Sequence, residues 1–361
     1  MDTRHWLEVS YPLRSAMMIP ARSNSALRLG RASGSSSASA VLAMAVLLAG
    51  CGGSDTRTIA RERADPTTIE PRGRVRVVGG VLVTDRGSPL RGVTIPIDVA
   101  PEFPLEPELF AELANESGVN AIHCYAENWA QTSGDREAQL DRLIDLAAAA
   151  GLYVVIAIGG GSAGDGHPGF GWFDIEKVRS FWTRYAARYA DRTHVLFELQ
   201  NAPEDVCDGA LGEATLAMER EGYALIRRLA PRTHVVLFSF SNVPTVALLR
   251  SAVTALGSDV DWSNASAALH ARPACVPADG FAAVRAEAHA LGVPLLATEL
   301  DDAAIAVSAR PLEAAGVGWF AHEWLSRSLD LASFRQTFSD GNIRWCPDHG
   351  TWPEDAATCG R

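Results

Sequence analysis

The sequence has no basic excess: 32 lysines and arginines stand against 43 acidic residues, a formal charge of −11. Without a basic surplus or stripe there is no phosphate-binding surface, which excludes nucleic acid as a partner. No Cys-x-x-Cys or His-x-x-x-His pair occurs, so neither a zinc site nor any other metal or cofactor is expected. No P-loop lysine follows Gly159-Gly-Gly161, which therefore reads as a flexible loop rather than a phosphate cradle. Long hydrophobic runs are also missing near the start. The apolar stretch Val41–Gly50, roughly ten residues, is too short to cross about 30 Å of hydrocarbon as an uncleaved anchor.

That short run reads as an export signal. Arginines at 22, 28 and 31 and a Ser-rich spacer precede it, and it ends in Leu48-Ala-Gly-Cys51. The motif looks like a bacterial lipobox, with cleavage before Cys51 and a lipid on its thiol. Residues 1–50 are then the signal peptide and 51–74, polar and rich in Pro, Gly and charge, a flexible tether. The expected address is the cell envelope, on the outer membrane where there is one. Export permits disulfides. Besides Cys51 there are five cysteines. Cys346 and Cys359 could staple a C-terminal tail (346–361), Cys207 and Cys275 could meet above the domain, and Cys124, inside an apolar strand, reads as a plain buried thiol.

Between the tether and the tail the chain alternates. Arg76 to Leu90 reads as a β-hairpin around the turn Asp85-Arg-Gly87. Eight apolar strand-like runs follow, at 92–97, 119–124, 152–158, 194–199, 233–238, 265–270, 294–299 and 317–321. Eight helical stretches separate and follow them, at 106–116, 135–150, 174–190, 209–229, 244–256, 278–290, near 310–315 and at 328–338. Alternation implies parallel pairing by crossover, and eight units imply closure into a (β/α)8 TIM barrel over 75–345, with the hairpin closing its bottom.

Reacting groups in such barrels come from the carboxyl ends of strands. The fourth run, His194-Val-Leu-Phe-Glu-Leu-Gln-Asn-Ala-Pro203, stops at a proline. The sixth ends in His270, the seventh in Glu299, and the eighth leads through Gly318-Trp-Phe-Ala-His-Glu to Trp324. A glutamate closing an apolar strand costs free energy unless it is paired or used.

In these strand ends the chain resembles glycoside hydrolase family 5, the cellulase-like clan, over roughly residues 76–340. The resemblance implies Glu299 as nucleophile, Asn201 on the sugar 2-hydroxyl, His270 as a site histidine and Trp324 as the stacking aromatic. It also implies an acid/base glutamate where Ala202 stands, an arginine where His123 stands, a tyrosine where Arg272 stands, and a histidine absent from Ala157–Gly161. His123 and Arg272 are candidate substrate contacts at the replaced positions. Glu198, four residues before Ala202, reads as structural and in need of a cation, with Arg91 as the candidate.

Three functions follow from this pattern. The first is a lipid-anchored glycosidase cutting O-glycosidic bonds of a β-linked polysaccharide, with Glu204 as a displaced acid and Glu323 or His322 as other substitutes. The second is a barrel that binds oligo- or polysaccharide without hydrolysis. The third is a different reaction run by His123, Arg272 and Glu299. A monomer is expected in each case.

Overall fold

The computed structural model describes residues 72–322 apart from 99, 102, 118, 160–173, 207, 272–279, 301–308, 310, 311, 313 and 314. Cys51, Cys207, Cys275, Cys346 and Cys359 lie outside the described residues, as do the tether to residue 71, the helix expected at 328–338 and most of the one near 310–315. Cys124 is a free, buried thiol, pushed well above the usual thiol range by burial and then by the charge of Asp98.

A two-stranded hairpin opens the described chain, β1 (Arg76–Val78) against β2 (Val81–Val83), with Val78 paired to Val81. The turn is therefore Gly79-Gly80, not Asp85-Arg-Gly87 as expected. Both glycines have positive φ, 58° and 78°, as a two-residue hairpin of this twist requires. Asp85–Gly87 forms a separate turn, closed by Gly87 N–H to the Thr84 carbonyl at 3.0 Å. The hairpin does plug the barrel floor. Val75, Leu82 and Leu90 pack beneath the inward side chains Tyr153, Leu196, Leu296 and Phe320, and the Tyr153 hydroxyl bridges Asp85 N–H and the Gly73 carbonyl.

Eight strands follow: β3 (Arg91–Pro96), β4 (Ala121–Glu127), β5 (Tyr153–Ile158), β6 (Val195–Glu198), β7 (Val235–Phe240), β8 (Ala265–His270), β9 (Leu295–Leu300) and β10 (Gly318–Ala321). They close into a barrel in chain order, β10 returning to β3, and every pairing is parallel. The expected (β/α)8 architecture is the observed one. Strands buried on both faces need apolar residues throughout; here one set fills the barrel and the other meets the helices. Glycines 159, 161 and 164 have Gly-x-Gly-x-x-Gly spacing. The sheet they follow is closed, however, and has no switch-point crevice for a dinucleotide.

The surrounding helices are α1 (Pro107–Glu112, running on as a π-helical stretch to Ser117), α2 (Glu137–Ala150), α3 (Ile175–Tyr189), α4 (Glu213–Leu229), α5 (Val246–Leu256) and α6 (Gly280–Ala290). Asp174 caps α3 by accepting from Glu176 N at 2.8 Å and Lys177 N at 3.4 Å. Gly151 ends α2 in the left-handed conformation at φ 71°. Among the described residues no helix is long and apolar enough to cross a membrane.

One buried cluster locks α3 to the top of β4. Lys177, the only lysine in the sequence, donates to Glu127 at 2.9 Å and to the Gln131 carbonyl at 2.7 Å. Glu127 also accepts from the Tyr185 hydroxyl and from Gly134 N. Lys177→Met strands a buried carboxylate and should lower the unfolding free energy by about 3–5 kcal/mol in a urea titration. A loss below about 1 kcal/mol would mean that water reaches the pair.

Candidate active site

Two irregular strands create the site. In β9, Ala297 pairs with Leu269 of β8, but the next pair is His270 with Glu299, so one residue is extra. The same extra residue separates the pairs β9 makes with Trp319 and Ala321 of β10. Regular alternation would send Thr298 and Glu299 to opposite faces. The bulge lets both reach inward: Thr298 donates to Glu198 Oε1 at 3.2 Å, and Glu299 enters the cluster described below.

In β7 the pairing jumps from Leu237 with Ala267 to Phe240 with Leu269. Phe238 and Ser239 between them have φ of 70° and 37°. Two successive non-glycine residues in this region store strain, of order 1–3 kcal/mol each. A buried carboxyl group from α4 holds the bulge, Glu219 Oε1 accepting from Phe238 N at 3.1 Å. Burial pushes Glu219 up to about 8, so it is neutral at neutral pH. The bulge turns Ser239 Oγ to within 3.4 Å of both Asn201 Oδ1 and His270 Nε2.

Glu299, 1 % exposed, lies among groups from four strand ends. The Tyr125 hydroxyl of β4 donates to Oε1. Asn201 Nδ2, beyond β6, donates to the same oxygen at 3.2 Å. His270 Nδ1 of β8 stands 3.1 Å from Oε2, and His322 Nε2, just past β10, 3.5 Å from Oε1. Burial, followed by the charges of Glu299 and Glu198, holds the Tyr125 phenol well above its usual range. It stays protonated and acts as a donor.

The orientation of Asn201 follows from its partners. A carboxylate only accepts, so the amide nitrogen faces Glu299 and the amide oxygen faces His270 Nε2, 3.0 Å away. His270 Nε2 therefore carries hydrogen. The segment bearing Asn201 is fixed in turn by Asn201 N to the Ile158 carbonyl at 3.2 Å and by Trp182 Nε1 to the Leu199 carbonyl at 2.8 Å.

Glu299, Asn201 and His270 thus meet, as the strand ends led us to expect. His123 does not join them. It is fully buried, with Nε2 2.5 Å from Glu198 Oε2 and its ring edge-on to Tyr125 at 4.7 Å. Glu198 therefore has His123 and Thr298 as partners, and the expectation of Arg91 is corrected: Arg91 opens β3 at the amino end of the barrel, whereas Glu198 closes β6 at the carboxyl end. Glu204 accepts from Gly212 N at 2.8 Å, where its charge suits the start of α4. Asp205 accepts from Ser241 Oγ at 2.7 Å. Neither touches Glu299 in any described contact. Ala202 is 3 % exposed and held at φ 40°. Arg272, Glu323 and Trp324 lie outside the described residues. Among the described residues no group of three or more His, Cys, Asp and Glu could hold a metal ion.

The sequence reading missed Tyr125, Ser239 and Glu219. Tyr125 was within reach of it, since Ala121, His123 and Tyr125 alternate along one strand and share a face. The strained bulge at Phe238-Ser239 leaves no periodic signal.

Comparison with known proteins bears on the family and the fold. Residues 122–301 match the family model of cellulase, glycosyl hydrolase family 5. Endoglucanase E-5 of Thermobifida fusca is 27% identical over 146 residues, 39% of this chain but only 30% of that relative's length. Among solved structures, a β-mannanase of Thermomonospora fusca bound to mannotriose is similar at TM-score 0.56 and 16% identity, covering 80% of this chain and 97% of its own. A β-glucanase of Saccharophagus degradans bound to cellotetraose is similar at TM-score 0.54 and 18% identity, covering 77% and 96%. At such identities the solved structures speak for the shared fold, and the family match carries the assignment: this chain contains a divergent glycoside hydrolase family 5 domain.

Proposed function

We propose that the domain binds a β-linked gluco- or manno-oligosaccharide at the carboxyl ends of its strands and cleaves an O-glycosidic bond with Glu299 as the nucleophile. One observation carries this reading: a buried carboxylate, sited by a bulge, is met by a phenol, an amide and two imidazoles from four different strand ends. The phenol and the amide donate to it and the imidazoles stand within 3.5 Å, surroundings that hold a carboxylate in place for attack on an anomeric carbon. The relatives bound to cellotetraose and mannotriose motivate the choice of sugars.

Retaining glycosidases use two carboxyl groups about 5–5.5 Å apart, the second protonating the leaving oxygen. On this reading Ala202 occupies the acid's place. Its methyl side chain, on a backbone at φ 40°, has no proton to give, so position 202 supplies no acid. The second reading, a barrel that binds sugar without cutting it, draws on the same alanine and on the engagement of Glu204 by Gly212. Purified protein offered 2,4-dinitrophenyl β-cellobioside, the corresponding mannobioside and cellotetraose separates the two. Release of dinitrophenol supports the glycosidase; saturable cellotetraose binding without any release supports the binding barrel.

The proposal extends to the address. Leu48-Ala-Gly-Cys51 after an apolar run supports lipidation at Cys51 and anchoring to the cell envelope through a flexible tether. Cys51→Ala should move the protein from the membrane fraction to the soluble or unprocessed fraction in a bacterial host. A mutant that still incorporates labelled fatty acid would refute the site.

A further inference from the structure

We propose that His322 is the proton donor of this site, protonating the leaving oxygen that a carboxylic acid at position 202 would otherwise serve. The inference deepens the glycosidase reading and rests on Glu299 as nucleophile.

The described groups around Glu299 differ in what they can give up. The Tyr125 phenol is held far above its ordinary range by burial and by neighbouring carboxylates, so it donates a hydrogen bond but no proton. The Asn201 amide does not titrate. His270 is fully buried, its Nε2 held by Asn201 Oδ1 and its Nδ1 3.1 Å from Glu299 Oε2, so no face of the ring is open to a leaving group. Glu204 and Asp205 are engaged by Gly212 and Ser241, and Glu198 by His123 and Thr298. His322 is different. Its side chain is 14 % exposed, against 1 % for Glu299, and an imidazole is a side chain that serves as a general acid and base.

Its placement suits the task. His322 N–H donates to the Leu300 carbonyl at 2.9 Å, continuing the β10 to β9 pairing, so the same strand that carries Glu299 fixes the histidine backbone. The ring stands edge-on to Tyr125 at 6.1 Å between centroids, with Nε2 3.5 Å from Glu299 Oε1. The two reacting groups of a retaining glycosidase stand about 5–5.5 Å apart. A withdrawal of the ring by roughly 2 Å would bring His322 to that separation with a sugar between the pair.

In the first step a Glu299 oxygen forms a bond to the anomeric carbon. The glycosidic C–O bond breaks, its electron pair passes to the leaving oxygen, and that oxygen takes the proton from His322 Nε2. In the second step neutral His322 removes a proton from water as the water oxygen attacks the same carbon. Glu299 is released and the imidazolium is restored.

The test is leaving-group dependence. Aryl β-cellobiosides and β-mannobiosides with phenols from 2,4-dinitrophenol to unsubstituted phenol are compared by kcat/KM, which reports bond cleavage without the second step. His322→Ala should lose about 10²- to 10⁴-fold on phenyl glycosides and less than tenfold on dinitrophenyl glycosides. His322→Gln keeps an N–H but no transferable proton, and should behave like the alanine variant. Azide, a nucleophile that needs no base, should raise kcat of both variants on the dinitrophenyl substrate. Equal losses on all leaving groups, or recovery by glutamine, would make His322 a positioning residue and overturn the proposal. Unchanged kinetics on phenyl glycosides would also overturn it. Wild-type protein with no Glu299-dependent turnover would overturn the glycosidase reading itself, and this proposal with it.

Discussion

Glu299→Ala should reduce dinitrophenol release from an activated aryl glycoside by at least about 10⁵-fold, the scale on which a lost nucleophile is felt. A good leaving group removes the need for an acid but not for attack at the anomeric carbon, so this substrate isolates the role assigned to Glu299. Added azide makes the role itself visible. Truncation to alanine empties the space beside the sugar's α face, and azide entering there displaces the phenol in one step, giving a glycosyl azide of inverted configuration. If Glu299 were instead the acid/base, azide would intercept a covalent intermediate formed elsewhere and the product would keep its configuration. Nuclear magnetic resonance of the anomeric proton distinguishes the two. Retained configuration, or azide without effect in a folded variant, would remove Glu299 from the nucleophile's place.

The barrel was legible because its evidence is repeated. Eight apolar runs alternating with helical stretches outweigh any single boundary error, and closure follows from their number. The hairpin turn was misplaced because both Gly79-Gly80 and Asp85-Arg-Gly87 are good turn sequences. What decides between them is which apolar residues must reach the barrel floor, and that is a property of the packed chain. The site divided in the same way. Glu299, Asn201 and His270 stand at strand ends, where position along the chain predicts position in space. Tyr125 enters from inside β4, one alternation above His123. Ser239 and Thr298 depend on bulges in β7 and β9, and a bulge changes which face a residue occupies without altering composition. Periodicity reads regular strands; the chemistry here sits where two of them are irregular.

The irregularity in β7 has a measurable cost. Glu219 is fully buried, accepts from Phe238 N, and has no partner for its Oε2 among the described residues. Its pKa is about 8 when folded against an ordinary 4.5, burial being the main cause and the charge of Glu198 a lesser one. Between those values the folded protein keeps a proton that the unfolded chain has lost. Unfolding then releases a proton, so stability from this group falls as pH rises through the window, and the loss is complete above about 8. Glu219→Gln keeps an oxygen for the Phe238 N–H and cannot ionise. Near pH 5 it should match wild type or fall slightly below it, because the amide nitrogen inherits the unpartnered position of Oε2. By pH 9 it should be the more stable of the two by an amount on the order of a few kcal/mol. Measuring the difference between the variants removes the contribution of His234, whose pKa burial lowers to about 3 in both. Glu219→Leu, which leaves the strained N–H without an acceptor, should be less stable than glutamine at every pH. A glutamine-minus-wild-type difference that stays flat from pH 5 to pH 9 in urea titrations would mean that Glu219 is already ionised in the folded protein. The bulge that aims Ser239 at His270 and Asn201 would then be held by a charge rather than by a neutral acid.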